Sequence, residues 1–529
     1  MNTGADGIGK NLTIKSGSTL NVQNSKALTI KEFIVNNGTF NLDNNTSVIQ
    51  IDNTLNSGSG TTTMTRQGVT TNTYDYIYYS SPVTSFPVAN LPGSPKYVWQ
   101  PTVNRAPTYP SNFGTWVSAS GNMTVGKGYI SRQGTAGTKT VNFTGTLNNG
   151  NLSIPISRGT YNGANYTGPT PTPVTKDDDN LNLIGNPYPS AISAIDFLNT
   201  NTNLEGFVKI WTHGTAVSTS TTSPFYENYQ SNYSINDYIT YNSTGSSSGP
   251  GVFGGLIASG QGFFVQMKHT SASTTENVNF TNSMRNSTYN NSQFYRNATN
   301  EVVDYNRIWL DLTKENGPSV RTLVGYITNA TDALDRLYDA PAVDKNYFDI
   351  YSILSSSEKL NIQGRALPFS ENDQVAIGMY IAQDGNYTIG IGAIDGLFRD
   401  SNQNIYLEDL TTGIIHNLKL TPYSFHSNSG NIDNRFILRY NNSNNLGNQD
   451  FETNENDILI LTNDYLTIKS LVKNIESITI HDILGRNITT INQINSLEKE
   501  IKNIQKNNAP LLIEVKLDNG FTMKKKIIF

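Results

Sequence analysis

The sequence predicts an all-β protein: solenoid-like rungs first, β-sandwich domains after them, and an Ig-like β-sandwich at the end. Three observations carry that prediction. Short apolar runs of period two recur along the whole chain, separated by Gly, Asn, Asp and Pro turn signals. Only 15% of the 529 residues are charged, while Gly (43), Tyr (28) and Phe (21) are plentiful. That composition suits packed strands and argues against both a disordered chain and a long coiled coil.

Residues 1–60 carry the most regular signal. Leu12/Ile14, Leu20/Val22, Leu28/Ile30, Phe33/Val35, Phe40/Leu42 and Val48 to Ile51 follow one another with SGS, NNG and DNN turns between them. Even spacing with small polar turns predicts stacked β rungs, a solenoid-like stalk end, rather than an ordinary meander. Residues 61–300 hold most aromatics in short strands broken by Gly, Pro and Asn, which predicts an aromatic-rich β-sandwich. Two stretches there, 158–180 and 214–250, are nearly pure Ser, Thr, Gly, Asn, Pro and Tyr and read as surface loops or poorly ordered segments. Residues 301–445 read as a second β-sandwich, with strands at 307–312, 322–327, 359–369, 375–381, 386–394, 404–410 and 435–441. One short helix is expected at 329–340, capped by Asn329 or Thr331. A polar linker at 446–456 precedes a last domain, 457–529.

That last part changes character. Residues 464–529 hold ten Lys/Arg against seven Asp/Glu, net +3; the whole chain is −5, so the rest carries −8. Asp518-Asn519-Gly520 between two apolar strands is a hairpin signal, because its central residues tolerate positive φ.

Zero cysteine excludes a disulfide scaffold, a thiolate nucleophile, Cys-ligated zinc and an iron–sulfur cluster. The mild net charge gives no reason to expect nucleic acid as partner. No run of about 18 apolar residues occurs, so no transmembrane helix is expected, and Met1–Lys10 lacks the apolar core of a signal peptide. The expected locale is outside a cell.

No motif singles out catalysis. His213, His269, His416, His426 and His481 include no i, i+4 pair; His416 and His426 could meet in space, but turn or strand-surface roles are the simpler reading. Gly245–Ser247–Gly249 spells GxSxG, yet a nucleophile elbow needs a strand before and a helix after it, and both flanks are low-complexity. Gly4–Gly9–Lys10 nearly spells a P-loop, but residue 11 is Asn and no strand precedes it. Asp177–Asp178–Asp179 could hold calcium, but no EF-hand spacing surrounds them and a solvated acidic loop is expected. The expectation is no enzyme, no cofactor and no metal. Tyr74, Tyr76, Tyr78, Tyr79, Trp99, Trp116 and Trp211 are the candidates for stacking on a glycan or surface ligand, with core filling as the alternative for each.

The final segment carries a resemblance. Asp482, Leu484, Gly485 and Arg486, then Asn519–Gly520, then Lys525, Lys526, Ile527, Ile528 and Phe529 match the pattern of a C-terminal sorting domain. It is similar to those of cargo exported by the type IX (Por) secretion system, in a form that resembles type C rather than type A. Upstream strings such as DYIYYSSPV, NLIGNPYPSAI and DNRFILRY resemble the large surface-protein region preceding such domains. The resemblance implies a secreted or outer-membrane-attached surface protein of gliding bacteria, and the β-rich, aromatic, uncharged body with its solenoid-like start favours an adhesin over an enzyme. It implies recognition by the outer-membrane shuttle barrel and translocon through Asp482, Gly485, Arg486, Lys524, Lys525, Lys526, Ile527, Ile528 and Phe529. An extracellular polysaccharide-active enzyme and a structural stalk or filament element are the alternatives.

Overall fold

The computed structural model describes residues 2–3, 6–70, 73–103, 114–167, 173–212, 237–249, 252–292, 294, 305–315, 317, 319–342, 348–442, 458–462, 465–470, 473–518 and 520–529. The expected linker 446–456, His213, Gly4 and Asn519 lie outside them. The protein is all-β, with a single short α-helix among the described residues, and it divides into two compact units, Met1–Asn442 and Ser443–Phe529.

In the first unit the chain opens as a three-sided solenoid. Asn2–Thr3, Thr19–Val22, Thr39–Leu42 and the start of Thr61–Thr70 pair in parallel on one side. Gly7–Gly9, Ala27–Ile30 and Ser47–Gln50 pair in parallel on the second; Leu12–Ile14 and Ile34–Asn36 do so on the third. Period-two alternation sends Leu20, Val22, Phe40, Leu42 and Met64 inward, where they join the aromatic core of the next region. Asn41 donates to Asn21 at 2.8 Å, a rung-to-rung ladder on the outer face.

Thr61–Thr70 then turns from parallel to antiparallel pairing with Gly137–Thr144, so the last rung runs straight into the 61–300 body. That body holds two four-stranded sheets. In one, Tyr76–Tyr79, Tyr129–Arg132, Lys96–Gln100 and Thr115–Ser118 are neighbours; in the other, Leu181–Gly185, Gly262–Met267, Leu204–Trp211 and Tyr238–Tyr241. The helix is Ala194–Thr200, capped by Ser193, whose Oγ accepts from Asp196 N at 3.1 Å.

The strands expected between 301 and 445 are present and join in one eleven-stranded sheet that curls until nearly closed, like a barrel. Its two end strands, Ile414–Asn417 and Tyr423–Ser427, each ladder with one neighbour, Tyr406–Asp409 and Gly385–Ile394, and side chains bridge the two ends of the sheet. Tyr423 Oη donates to Asp409 at 2.9 Å, and Phe425 packs on Phe436 with ring centroids 4.9 Å apart.

The helix expected at 329–340 is absent; turns occupy the segment up to a short strand, Ala340–Pro341. Asp335 accepts from Thr331 N, and Asp339 accepts from Asp335 N at 2.6 Å. Those side chains capture amides that a helix would have used. Arg336 leaves the segment altogether to donate to the carbonyls of Leu198 and Leu204.

Candidate functional site

The GxSxG string turns out to be a seam. Residues 237–249 are described, and Thr244 and Ser246 are buried rather than on a surface loop. Three side chains of the barrel-like sheet reach three alternate carbonyls: Arg307 to Thr244 at 3.1 Å, Trp309 to Ser246 at 2.8 Å and Arg321 to Ser248 at 2.6 Å. Gly245 sits at φ +135°, and a Cβ there would collide with the Arg307 guanidinium. A strand, Tyr238–Tyr241, precedes the string, unlike the low-complexity flank expected, but no helix follows it among the described residues, so the frame of a nucleophile elbow is not formed. The near P-loop is equally structural: Gly7–Gly9 is a rung strand, and Lys10 pairs with Glu32 at 3.5 Å.

Asp177–Asp179 is only partly the solvated loop expected. Asp178 accepts from Thr175 N and Oγ1 at 2.6 and 2.9 Å. Asp179 is buried, and burial pushes its carboxyl up to about 6. Among the described residues no group of three or more His, Asp or Glu is arranged to hold a metal ion. His269 bonds Asn162 at 2.7 Å, His416 bonds Thr421 O at 2.7 Å and His426 bonds Asn386 at 3.2 Å.

Most of the candidate aromatics fill the core. Tyr76, Tyr78, Tyr79, Trp99 and Trp211 are buried. The Trp211 indole donates to Tyr76 O at 3.0 Å, and that of Trp99 to Leu181 O at 2.7 Å. Tyr78 stacks on Trp211 with centroids 5.6 Å apart. The strand Tyr76–Tyr79 is buried on both faces. Trp116 is half-buried, and Tyr74 is exposed with the Arg132 guanidinium over its ring.

The sorting candidates all lie in the second unit. It is a sandwich of a three-stranded sheet (Ile458–Thr462, Leu466–Ser470, Glu498–Ile501) and a four-stranded sheet. The latter runs Asn487–Ser496, Ile475–Asp482, Pro510–Leu517, Thr522–Ile528. Ile468, Ile478, Ile480, Ile513, Val515 and Met523 are among the residues filling its core. The hairpin expected at 518–520 forms, with Gly520 at φ +86° and Leu517 N donating to Phe521 O at 2.9 Å.

Asp482, Gly485 and Arg486 make one tight turn. The Asp482 carboxylate accepts from Leu484 N and Arg486 N at 2.9 Å each and from Arg486 Nε at 2.6 Å. These bonds, first of all the Arg486 amide, hold its pKa below the usual carboxylate value. Gly485 supplies the left-handed residue at φ +81°. The turn lifts Ile483 and Leu484 into solvent, 63% and 77% exposed. Leu484 belongs to the sorting pattern but not to the residues expected to be recognised, and Ile483 was missed, although the Asp-to-Gly turn frame around the two was the available signal.

The terminal strand pairs with Pro510–Leu517 over seven positions, Lys516↔Thr522 to Pro510↔Ile528, without a register shift. Asp482 aligns with Leu511 and Leu511 with Ile527, so turn and chain end share one end of the sheet although some 40 residues separate them. The three apolar anchors expected there differ in availability. Phe529 is 1% exposed and closes a two-way backbone pair with Ala509; Ile527 is half-buried; Ile528 is 67% exposed. Lys524, Lys525 and Lys526 are all exposed, and Lys524 pairs with Glu514 at 3.1 Å.

With this geometry in hand, the comparisons place the chain. It belongs to the family described as Domain of unknown function (DUF8693), which matches residues 1–440. Residues 446–529 match a second one, Domain of unknown function (DUF8694). The gap between the two matches falls where the compact units divide. No curated protein matches the chain.

Proposed function

We propose that this chain is a cargo protein of the type IX secretion system. Its second unit is the export address, and its first unit is a non-enzymatic, adhesive body displayed at the outer surface of a Gram-negative gliding bacterium. The observation that carries the reading is the separate C-terminal sandwich. There the Asp482–Arg486 turn and the Lys524–Phe529 strand, remote in sequence, come to one sheet. Recognition surfaces are built this way, from rigid scaffold plus a few presented side chains.

Removing Lys524–Phe529 should leave the chain in the periplasm, read by fractionation of exporting cells. Normal surface appearance of the shortened chain would overturn the address. Purified first unit should turn over no glycan or protein. Turnover abolished by a single carboxylate substitution would replace the adhesin with an enzyme. The parallel rungs at 2–64 favour a second reading of the body as a stalk element, since each rung leaves a sheet edge on which another stacks.

A further inference from the structure

The four-stranded sheet of the second unit has two free edges among the described residues, and they differ. Asn487–Ser496 is broken: its register shifts against Ile475–Asp482, and Gln493 and Asn495 sit at φ +55° and +46°. A bulged edge of that kind resists another strand. Thr522–Ile528 is regular along its whole length, and its outer row of N–H and C=O groups has no strand beside it.

Its guards are lysines. Alternation places Met523, Lys525, Ile527 and Phe529 on the core-facing side, yet Lys525 is exposed among buried or half-buried neighbours. An inward-parity lysine on an edge strand repels indiscriminate pairing. Lys524 has Glu514, but Lys525 and Lys526 have no carboxylate partner among the described residues. Such an edge admits a strand that brings its own carboxylates and excludes one that does not.

The rest of the strand is anchored. Phe529 and Met523 are buried, seven positions are paired, and the Phe529–Ala509 backbone pair ties down the end. Extraction would expose all of it. Ile528, Ile483 and Leu484 stand exposed at that same end of the sheet.

We propose that the address is read in place: an extended, carboxylate-bearing strand of the partner adds to the Thr522–Ile528 edge opposite Lys525 and Lys526, while Ile528, Ile483 and Leu484 seat in apolar hollows beside it. This rests on the export reading for the partner's identity, the shuttle barrel, and adds the mode and the surface. Main-chain bonds supply affinity in such an addition, and the side chains supply choice.

The test uses the full chain and purified shuttle barrel in detergent. The chain has no cysteine, so Leu511→Cys with Ile527→Cys, directly opposite each other, introduces one bridge that locks the strand down. Oxidised and reduced forms of that variant should bind within two-fold of each other; a ten-fold loss on oxidation would show that the strand must leave, and would overturn the proposal. Lys525→Glu with Lys526→Glu, checked for an unchanged melting temperature, should bind at least ten-fold more weakly, and Lys525→Gln with Lys526→Gln should fall between. Equal binding by the Glu variant would overturn the acidic strand, as would equal binding to anionic phospholipid vesicles. No binding by the unaltered chain would instead sink the export reading beneath it.

Discussion

Two strand edges in this protein meet opposite fates. The second side of the solenoid ends on Ser47–Gln50, and the body covers that edge, mostly with side chains. Arg285 donates to the carbonyl of Gln50 at 3.0 Å, Asn291 to Thr46 O at 2.5 Å, and Asn149 to Asp52 O and Thr54 O at 2.8 Å each. Val48 N donates to Pro189 O at 2.8 Å. Among the described residues of the second unit the edge at Thr522–Ile528 has no such cover, and it carries three exposed lysines instead. An edge that stays inside is satisfied by uncharged amides and one buried guanidinium. An edge left outside is guarded by charge, which doubles as a specificity filter.

The comparison breaks most readily at its buried member. Arg285 also donates to Asn149 and Asn282 and lies over the Tyr188 ring at 4.2 Å; burial lowers its pKa to about 10, still above neutrality. Arg285→Met would leave those acceptors unpaired, and the first unit should lose about 3 kcal/mol in chemical denaturation. A loss under about 0.5 kcal/mol would mean the cover is incidental. Phe529→Ala opens a cavity in the second unit and should lower that unit's stability by a similar ~3 kcal/mol, with the first unit's transition unmoved.

Acid and base should separate two buried carboxyls of the first unit. Burial raises Asp339 to about 7, against the backbone bonds from Asp335 and Gly364. A raised carboxyl contributes most when neutral, below its unfolded value of about 4, and that contribution is lost as pH rises through 7. For Asp409, burial is outweighed by Arg435 and Tyr423, and its pKa is lowered. Its contribution is present above the unfolded value and is lost as pH falls. Melting of the first unit against pH should therefore rise for Asp339→Asn relative to the parent between about pH 4 and 7 and stay level above that, and flatten on the acid side for Asp409→Asn. The smallest expected effect is at the open edge: Lys525→Gln should change stability by less than about 0.5 kcal/mol, because the lysine has no ion-pair partner among the described residues.

Much of the architecture was legible in the residues. Alternation and even turn spacing located the rungs, because each inward pair such as Leu20/Val22 falls above the next, Phe40/Leu42. Strands 307–312 and 375–381 were readable for the same reason. The seam at 242–249 was not, since Ser, Thr and Gly give no apolar period, and its burial depends on Arg307, Trp309 and Arg321 arriving from over 60 residues away. The helix was misplaced because 329–340 has helical composition but spends its Asp side chains on its own amides. At the candidate site the turn residues and lysines were readable; the burial of Phe529 was not, because a terminal aromatic reads alike whether it plugs a core or a partner.

The most direct measurement leaves the chain unaltered. Protease added to intact cells should cleave Met1–Asn442 in a strain with a working type IX system and spare it in the same strain without the shuttle barrel. Equal cleavage in both strains, or in neither, would contradict the account.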